Sequence, residues 1–405
     1  MTSSYTLMEL KKTTTPTQFS NHLREMGPMF WWAPGNFWVI TAYDLAKQVL
    51  TSDAFSCDRS PFFISRMPEM NLQLIQDFFK VVSKMMVMSD PPLHNSRRRI
   101  CYHGFNQQAI QALKPSIQRT VAECVEKIAA KKGGDFISEI AEIIPSSTLA
   151  EFFEIPLEER RDFYEWSNNM TQFFGGSTSY FDADGIKVNK SAENLYQYFF
   201  KLIDKRRAYP GKDFLSTLLL HQKAFDLTDD EIISQAIMML VAGQITTTDQ
   251  MANNLFLMLE QTGLWQTAKN DLANLEDYLE ECNRLDPAVT FIFRVAKKEN
   301  LLHGQRIKKG DVIFISTHAV NRDPCYFPDP DTIKITRDKV PHLSYGYGGH
   351  FCLGAKLARV EMHEVFTRLM TDFAEVSFDQ KIPSLRKHHS LSFSGFETLG
   401  VVTAK

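Results

Sequence analysis

A chain of 405 residues is longer than one hydrophobic core usually supports, yet some large folds reach it, so length leaves the domain count open. Hydrophobic residues at 44% and charged residues at 23% exclude a disordered or fibrous chain. A net charge of -3 gives no global attraction to nucleic acid or anionic membrane, and six scattered cysteines without a CxxC pair fit a reducing, cytoplasmic setting.

Along the chain, residues 1–20 are polar and carry neither a spanning apolar run nor a signal pattern, so no membrane anchor is expected. The first strand signal is 37–41. Residues 90–99 read DPPLHNSRRR, which places His94 and Arg98 four apart on one helix face. Of the three arginines, Arg97 and Arg99 are expected to be solvated. Apolar residues at three- and four-residue spacing predict helices over 117–130, just after Pro115, and over 191–207. Between them, 173–185 mixes aromatics with glycines and reads either as a mobile roof that gates entry or as an ordinary surface loop.

Residues 228–260 predict one very long helix, opened by a capping box between Thr228 and Glu231 and apolar nearly all round. Further strands are expected at 290–295, 312–316 and 399–403. Without internal repeats or a Gly/Ser linker, one continuous fold is expected, mainly α with minor β-sheets.

The most informative stretch is HLSYGYGGHFCLGA at 342–355, where glycines crowd before Cys352 and an apolar-periodic helix follows. A thiolate at a helix N-terminus is stabilised by backbone N–H groups and by the helix dipole. A lone cysteine near glycines is more often a buried packing residue, and the long-helix stretch AGQITT at 242–247 could simply mark close helix packing. A Glu and an Arg three apart, as at Glu281 and Arg284, usually form a surface pair.

Taken together and in order, these stretches resemble the cytochrome P450 family. The cysteine loop is similar to that family's haem-binding loop, with Tyr345 where the family usually has Phe. Glu281, Arg284 and, beyond Phe327-Pro328-Asp329-Pro330, Arg337 resemble its structural ion-pair network. The resemblance runs from about Phe55 to the C-terminal hairpin. It implies a single domain over 1–405, a triangular helical prism with a long central helix, and haem b (iron protoporphyrin IX) with Cys352 as iron ligand. It implies that His94, Arg98, Arg294 and His350 hold the haem propionates.

On the oxygen side the resemblance gives catalytic roles to Ala242, Gly243 and Thr246, with the glycine opening the helix beside the iron. Ile245 departs from the family, which usually carries an acid there. Proton delivery is then expected through water, Gln244, Asp249 or the substrate. The substrate pocket implied comprises Met238, Val241 and Ile245, then Val289, Ile292 and Phe293, then Leu391 and Phe393. This predicts hydroxylation or epoxidation of a hydrophobic or amphipathic small molecule, free or carrier-protein-bound, in secondary metabolism.

Electrons are expected from a ferredoxin or flavodoxin with an NAD(P)H-dependent reductase, drawn by Arg97, Arg99 and Lys356. Substrate-assisted oxidation, coupling, desaturation, or a haem protein that binds without turnover stand as alternatives. A cysteine-nucleophile hydrolase lacks a supporting histidine arrangement.

Overall fold

The computed structural model describes residues 6–64, 73–174, 183–337 and 341–405. The class is mainly helical with small sheets, as the periodicities predict. The chain forms two compact units, one of residues 1–55, 117–145 and 246–405, the other of 56–116 and 146–245.

In the first unit, four strands of the main sheet run in the order Met29–Trp32, Phe37–Ile40, Val312–Ser316, Phe291–Ala296. The two middle strands pair in parallel and the outer pairings are antiparallel. Val312–Ser316 is buried along its whole length, which explains its unbroken apolar run. Strand alternation sends Phe291 and Phe293 to one face, where both rings meet Phe314. Ile292 and Arg294 take the other. A smaller sheet joins Gly133–Asp135, Gly400–Ala404 and Glu375–Phe378. Gly133 sits at φ 142, and a Cβ there would lie 2.3 Å from the Val401 carbonyl oxygen, so only glycine fits.

The second unit is built from helices around an aromatic core. Phe152, Phe153, Phe163, Phe199 and Phe214 pack with ring centroids 4.7 to 6.3 Å apart. Gly104 ends the helix Leu93–Gly104 beneath this cluster, where a Cβ would fall 2.5 Å from the Phe214 ring.

The helix Asp229–Glu260 starts in the second unit and ends in the first. Its capping box forms as expected: the Thr228 N–H donates to Glu231 at 3.0 Å and the Glu231 N–H donates to Thr228 Oγ1 at 3.3 Å. The helix expected at 117–130 is instead Gln107–Lys131, with Pro115 inside it. A proline costs one intrahelical bond. Buried Ile110 and Leu113 before it and Ile117 and Val121 after it keep one apolar face running through. Of the roof stretch, 175–182 lies outside the described residues.

Candidate active site

Cys352 stands in the first unit, between a short 3-10 turn at Gly348–His350 and the helix Ala355–Asp372. Backbone bonds fix the loop: Cys352 N–H to Tyr345 O at 2.8 Å, Gly346 N–H to Leu343 O at 2.9 Å, Phe351 N–H to Gly348 O at 3.0 Å. Gly346 and Gly348 hold φ of 74 and 71, and a Cβ on Gly348 would press within 3.0 Å of Thr51. The result is an exposed Cys352 side chain on a rigid loop. By contrast Cys57, Cys101, Cys124 and Cys282 are buried, and burial pushes the Cys101 thiol up to about 12 and raises Cys124 and Cys282. Those thiols stay protonated and are poor ligands.

The helix Leu275–Leu285 supports this loop from residues that sequence separates widely. Glu281 accepts from Arg284 Nε at 2.8 Å and from Arg337 Nε at 2.9 Å, and also from the Lys334 N–H at 2.9 Å. Arg284, 1% exposed, also donates from Nη2 to Glu281 Oε2 at 3.0 Å and to the carbonyls of Asn321, Pro330 and Thr332. The cluster thereby ties the 328–337 loop to the helix. Beside it lies a second network that the sequence reading missed. Glu280 accepts from Arg359 at 2.7 Å and lies 3.2 Å from His342, and the Arg359 guanidinium stacks 4.5 Å from the Tyr345 ring centroid. Asn283 donates to the Tyr345 hydroxyl at 3.3 Å. Tyr345 therefore uses the hydroxyl that phenylalanine would lack. Its one sequence signal was an acid directly preceding Glu281.

Two of the implied pocket segments meet in the same unit. Val289 and Phe393 form a β-bridge, Thr290 N–H donates to Ser392 O at 2.8 Å, and Ser394 N–H donates to Ala288 O at 2.8 Å. Val289, Ile292, Leu391 and Phe393 are all half-buried apolar residues. Phe293 is the exception. It is 5% exposed and stacks on Phe314 at 4.9 Å, on the strand face opposite Ile292, so it packs the sheet rather than joining these four. Arg294 shares the Ile292 face, is buried, and donates to the Phe293 carbonyl at 3.0 Å. His350, in the 3-10 turn before Cys352, is half-buried.

On the helix Asp229–Glu260, Ala242 is exposed and Ile245 and Thr246 are half-buried, while Val241, Gln244, Thr247 and Thr248 are buried. Spacings of three and four make Ala242, Ile245 and Thr246 one accessible face in mid-helix. Met238, one turn earlier on that face, is buried, as is Val241. Gly243 has a packing reason: a Cβ there would meet both Leu149 methyls at 3.3 Å. Gln244 accepts a short hydrogen bond from Ser167, and buried Asp249 pairs with Lys387 at 2.7 Å, so both expected proton carriers already hold partners.

In the second unit the helix Leu93–Gly104 carries His94 buried and Arg98 half-buried, one turn apart. Arg97, expected to be solvated, is 6% exposed; it pairs with Glu231 at 2.8 Å and donates to Ser89 Oγ at 2.5 Å. Helix rotation turns residue 97 inward while Arg99 stays exposed over the Phe225 ring. Arg97 is thus no docking residue. Lys356 is exposed on the first turn after Cys352.

A family model described as Cytochrome P450 matches residues 4–394. The chain belongs to the cytochrome P450 family and is a haem-thiolate monooxygenase with haem b as cofactor. It is 28% identical over 375 residues to the biotin biosynthesis cytochrome P450 of Bacillus subtilis (strain 168), covering 91% of this chain and 90% of that protein. The mycinamicin IV hydroxylase/epoxidase of Micromonospora griseorubida is 29% identical over 353 residues, covering 86% and 83%. The structure of P450BioI in complex with hexadec-9Z-enoic acid ligated acyl carrier protein matches with a TM-score of 0.89 at 26% identity, covering 98% of this chain and 99% of that one. Among the described residues no helix is long and apolar enough to cross a membrane.

Proposed function

We propose that Cys352 is the axial ligand of the haem iron and that the chain hydroxylates or epoxidises a hydrophobic or amphipathic organic molecule. The exposed Cys352 side chain, held on a loop fixed by three backbone hydrogen bonds, carries this reading. The donor set fits haem: one exposed cysteine on a fixed loop would supply the single protein ligand, and the porphyrin would supply the rest. When bound, the haem supplies an iron centre that activates dioxygen with electrons delivered from outside. His94, Arg98, Arg294 and His350 are the cations and donors that would take its two carboxylates. We read residues 1–405 as one catalytic domain, since the family model runs through both units.

Ala242 gives the accessible helix face its small residue, and the Thr246 hydroxyl one turn on can hold a water and pass a proton. Ile245 cannot. With Gln244 bonded to Ser167 and Asp249 to Lys387, ordered water or a polar group of the substrate is left to deliver protons, which favours a substrate-assisted variant as the second reading. Val289, Ile292, Leu391 and Phe393 supply apolar wall, and Met238 and Val241 are the buried apolar residues of the long helix that this reading adds. An acyl chain, free or on a carrier protein, suits such a wall and matches what P450BioI binds in its complex. We assign electron delivery to a ferredoxin or flavodoxin with an NAD(P)H-dependent reductase, and the chain to the cytoplasm, in secondary metabolism. Exposed Lys356 and Arg99 are the cations that would meet an acidic donor.

The test is spectroscopic. The haem-loaded protein, reduced under carbon monoxide, is expected to absorb as a thiolate-ligated haem, and Cys352→His to absorb as a histidine-ligated one. A wild-type spectrum of the histidine type overturns the assignment. A ligand screen by haem absorption shift then defines the substrate class.

A further inference from the structure

The helix Leu7–Thr13 is seven residues long, closed at its start by a Thr6/Glu9 capping box. From it Lys11 reaches across 379 to 382 residues of sequence to the turn at 390–393. Its Nζ donates to Ser390 O at 2.9 Å, Leu391 O at 3.2 Å and Phe393 O at 2.5 Å, with Thr290 Oγ1 at 3.4 Å. Three carbonyls aimed at one point repel each other unless a cation lies between them. Thr290 completes the knot, its hydroxyl donating to Leu391 O at 2.5 Å. Burial pulls the Lys11 ammonium down to about 7, with Arg386 acting the same way and Asp286 and Asp249 opposing. The nearby charges are otherwise matched, Asp286 with Arg386 and Asp249 with Lys387, each at 2.7 Å. An ammonium kept in so enclosed a place answers to the carbonyls it binds.

We propose that Lys11 is a specificity-determining positioning residue: its ammonium fixes the 390–393 turn against Thr290 and so sets how far Leu391 and Phe393 stand into the substrate space. This rests on the reading that Val289, Leu391 and Phe393 form apolar pocket wall. The N-terminal helix thereby shapes substrate choice without touching substrate. Removing the charge frees the turn, and the wall moves while the haem-binding loop, held by its own bonds, does not.

Two probes separate these effects in the haem-loaded full chain. Imidazole ligates iron with little demand on the pocket, whereas clotrimazole, its bulky triaryl relative, needs the wall in place. Lys11→Met is expected to change the clotrimazole dissociation constant at least about tenfold and the imidazole constant by less than about twofold. Lys11→Arg keeps the charge and is expected to restore much of the clotrimazole affinity. Phe393→Ala tests the wall itself. If Phe393→Ala shifts clotrimazole and Lys11→Met does not, the role of Lys11 is refuted and the pocket reading stands. If Phe393→Ala leaves clotrimazole unmoved, the pocket reading fails and takes the proposal with it. Equal losses for both probes in Lys11→Met mark a general structural role and also overturn it. Should Lys11→Met not fold, Thr290→Val cuts the same knot with little change of volume and must reproduce the selective clotrimazole shift, or the proposal falls.

Discussion

Acid should unpick the network beneath the cysteine loop at Glu280. Burial alone would push this carboxyl up, but the hydrogen bonds and charges of His342 and Arg359 outweigh it and hold it at about 2, against an ordinary 4.5. A depressed carboxylate contributes stability that is present above its unfolded value and is lost as pH falls through its folded value. The shift corresponds to roughly 3 kcal/mol at neutral pH, of which about 2 kcal/mol is gone by about pH 3. Glu280→Gln keeps the side-chain shape but cannot ionise. Urea midpoints measured from about pH 7 down to about pH 3 should show the wild-type advantage over Glu280→Gln shrinking by that amount. A gap between the two proteins that stays constant over the whole range refutes the argument, because the carboxylate would then have no charge-dependent partner.

Three further outcomes follow from the same geometry. Arg97→Met should cost about 3 kcal/mol by leaving Glu231 uncompensated, whereas Arg99→Met should stay within about 0.5 kcal/mol, both by denaturant titration. Gly243→Ala should be close to neutral, since about 1 kcal/mol of helix propensity offsets the crowding of Leu149, while Gly243→Val should cost about 1 to 3 kcal/mol and be partly relieved by Leu149→Ala. Asp249 is raised by burial to about 6 despite Lys387, so the native state keeps a proton that the unfolded chain releases near 3.8. Stability should therefore fall through this group as pH rises from about 4 to about 6, and Asp249→Asn should flatten that slope.

Much of the site was legible because its signals are local. The glycines before Cys352, the Glu281/Arg284 spacing and the Thr228/Glu231 cap each lie within a few residues and read directly onto a turn, a helix face or a helix start. The Lys11 clamp and the Glu280–Arg359–Tyr345 stack were not legible, since each joins groups from distant parts of the chain that carry no mutual signal. Two residues were misread for a related reason. Phe293 and Arg97 have neighbours of the expected kind, but strand alternation and helix rotation turn them away from those neighbours.

By itself the sequence determined the class of fold, the length of the central helix, the cysteine with its thiolate-favouring loop, and the family this chain belongs to. Periodicity and short motifs act over one or two turns, and that is the range over which side chains compete for the same face. The tertiary structure alone decided which charges are buried in pairs, what packs against residue 243, and what holds the 390–393 turn. Those depend on the cost of enclosing a polar group or filling a space, which no residue has until the rest of the chain has closed around it.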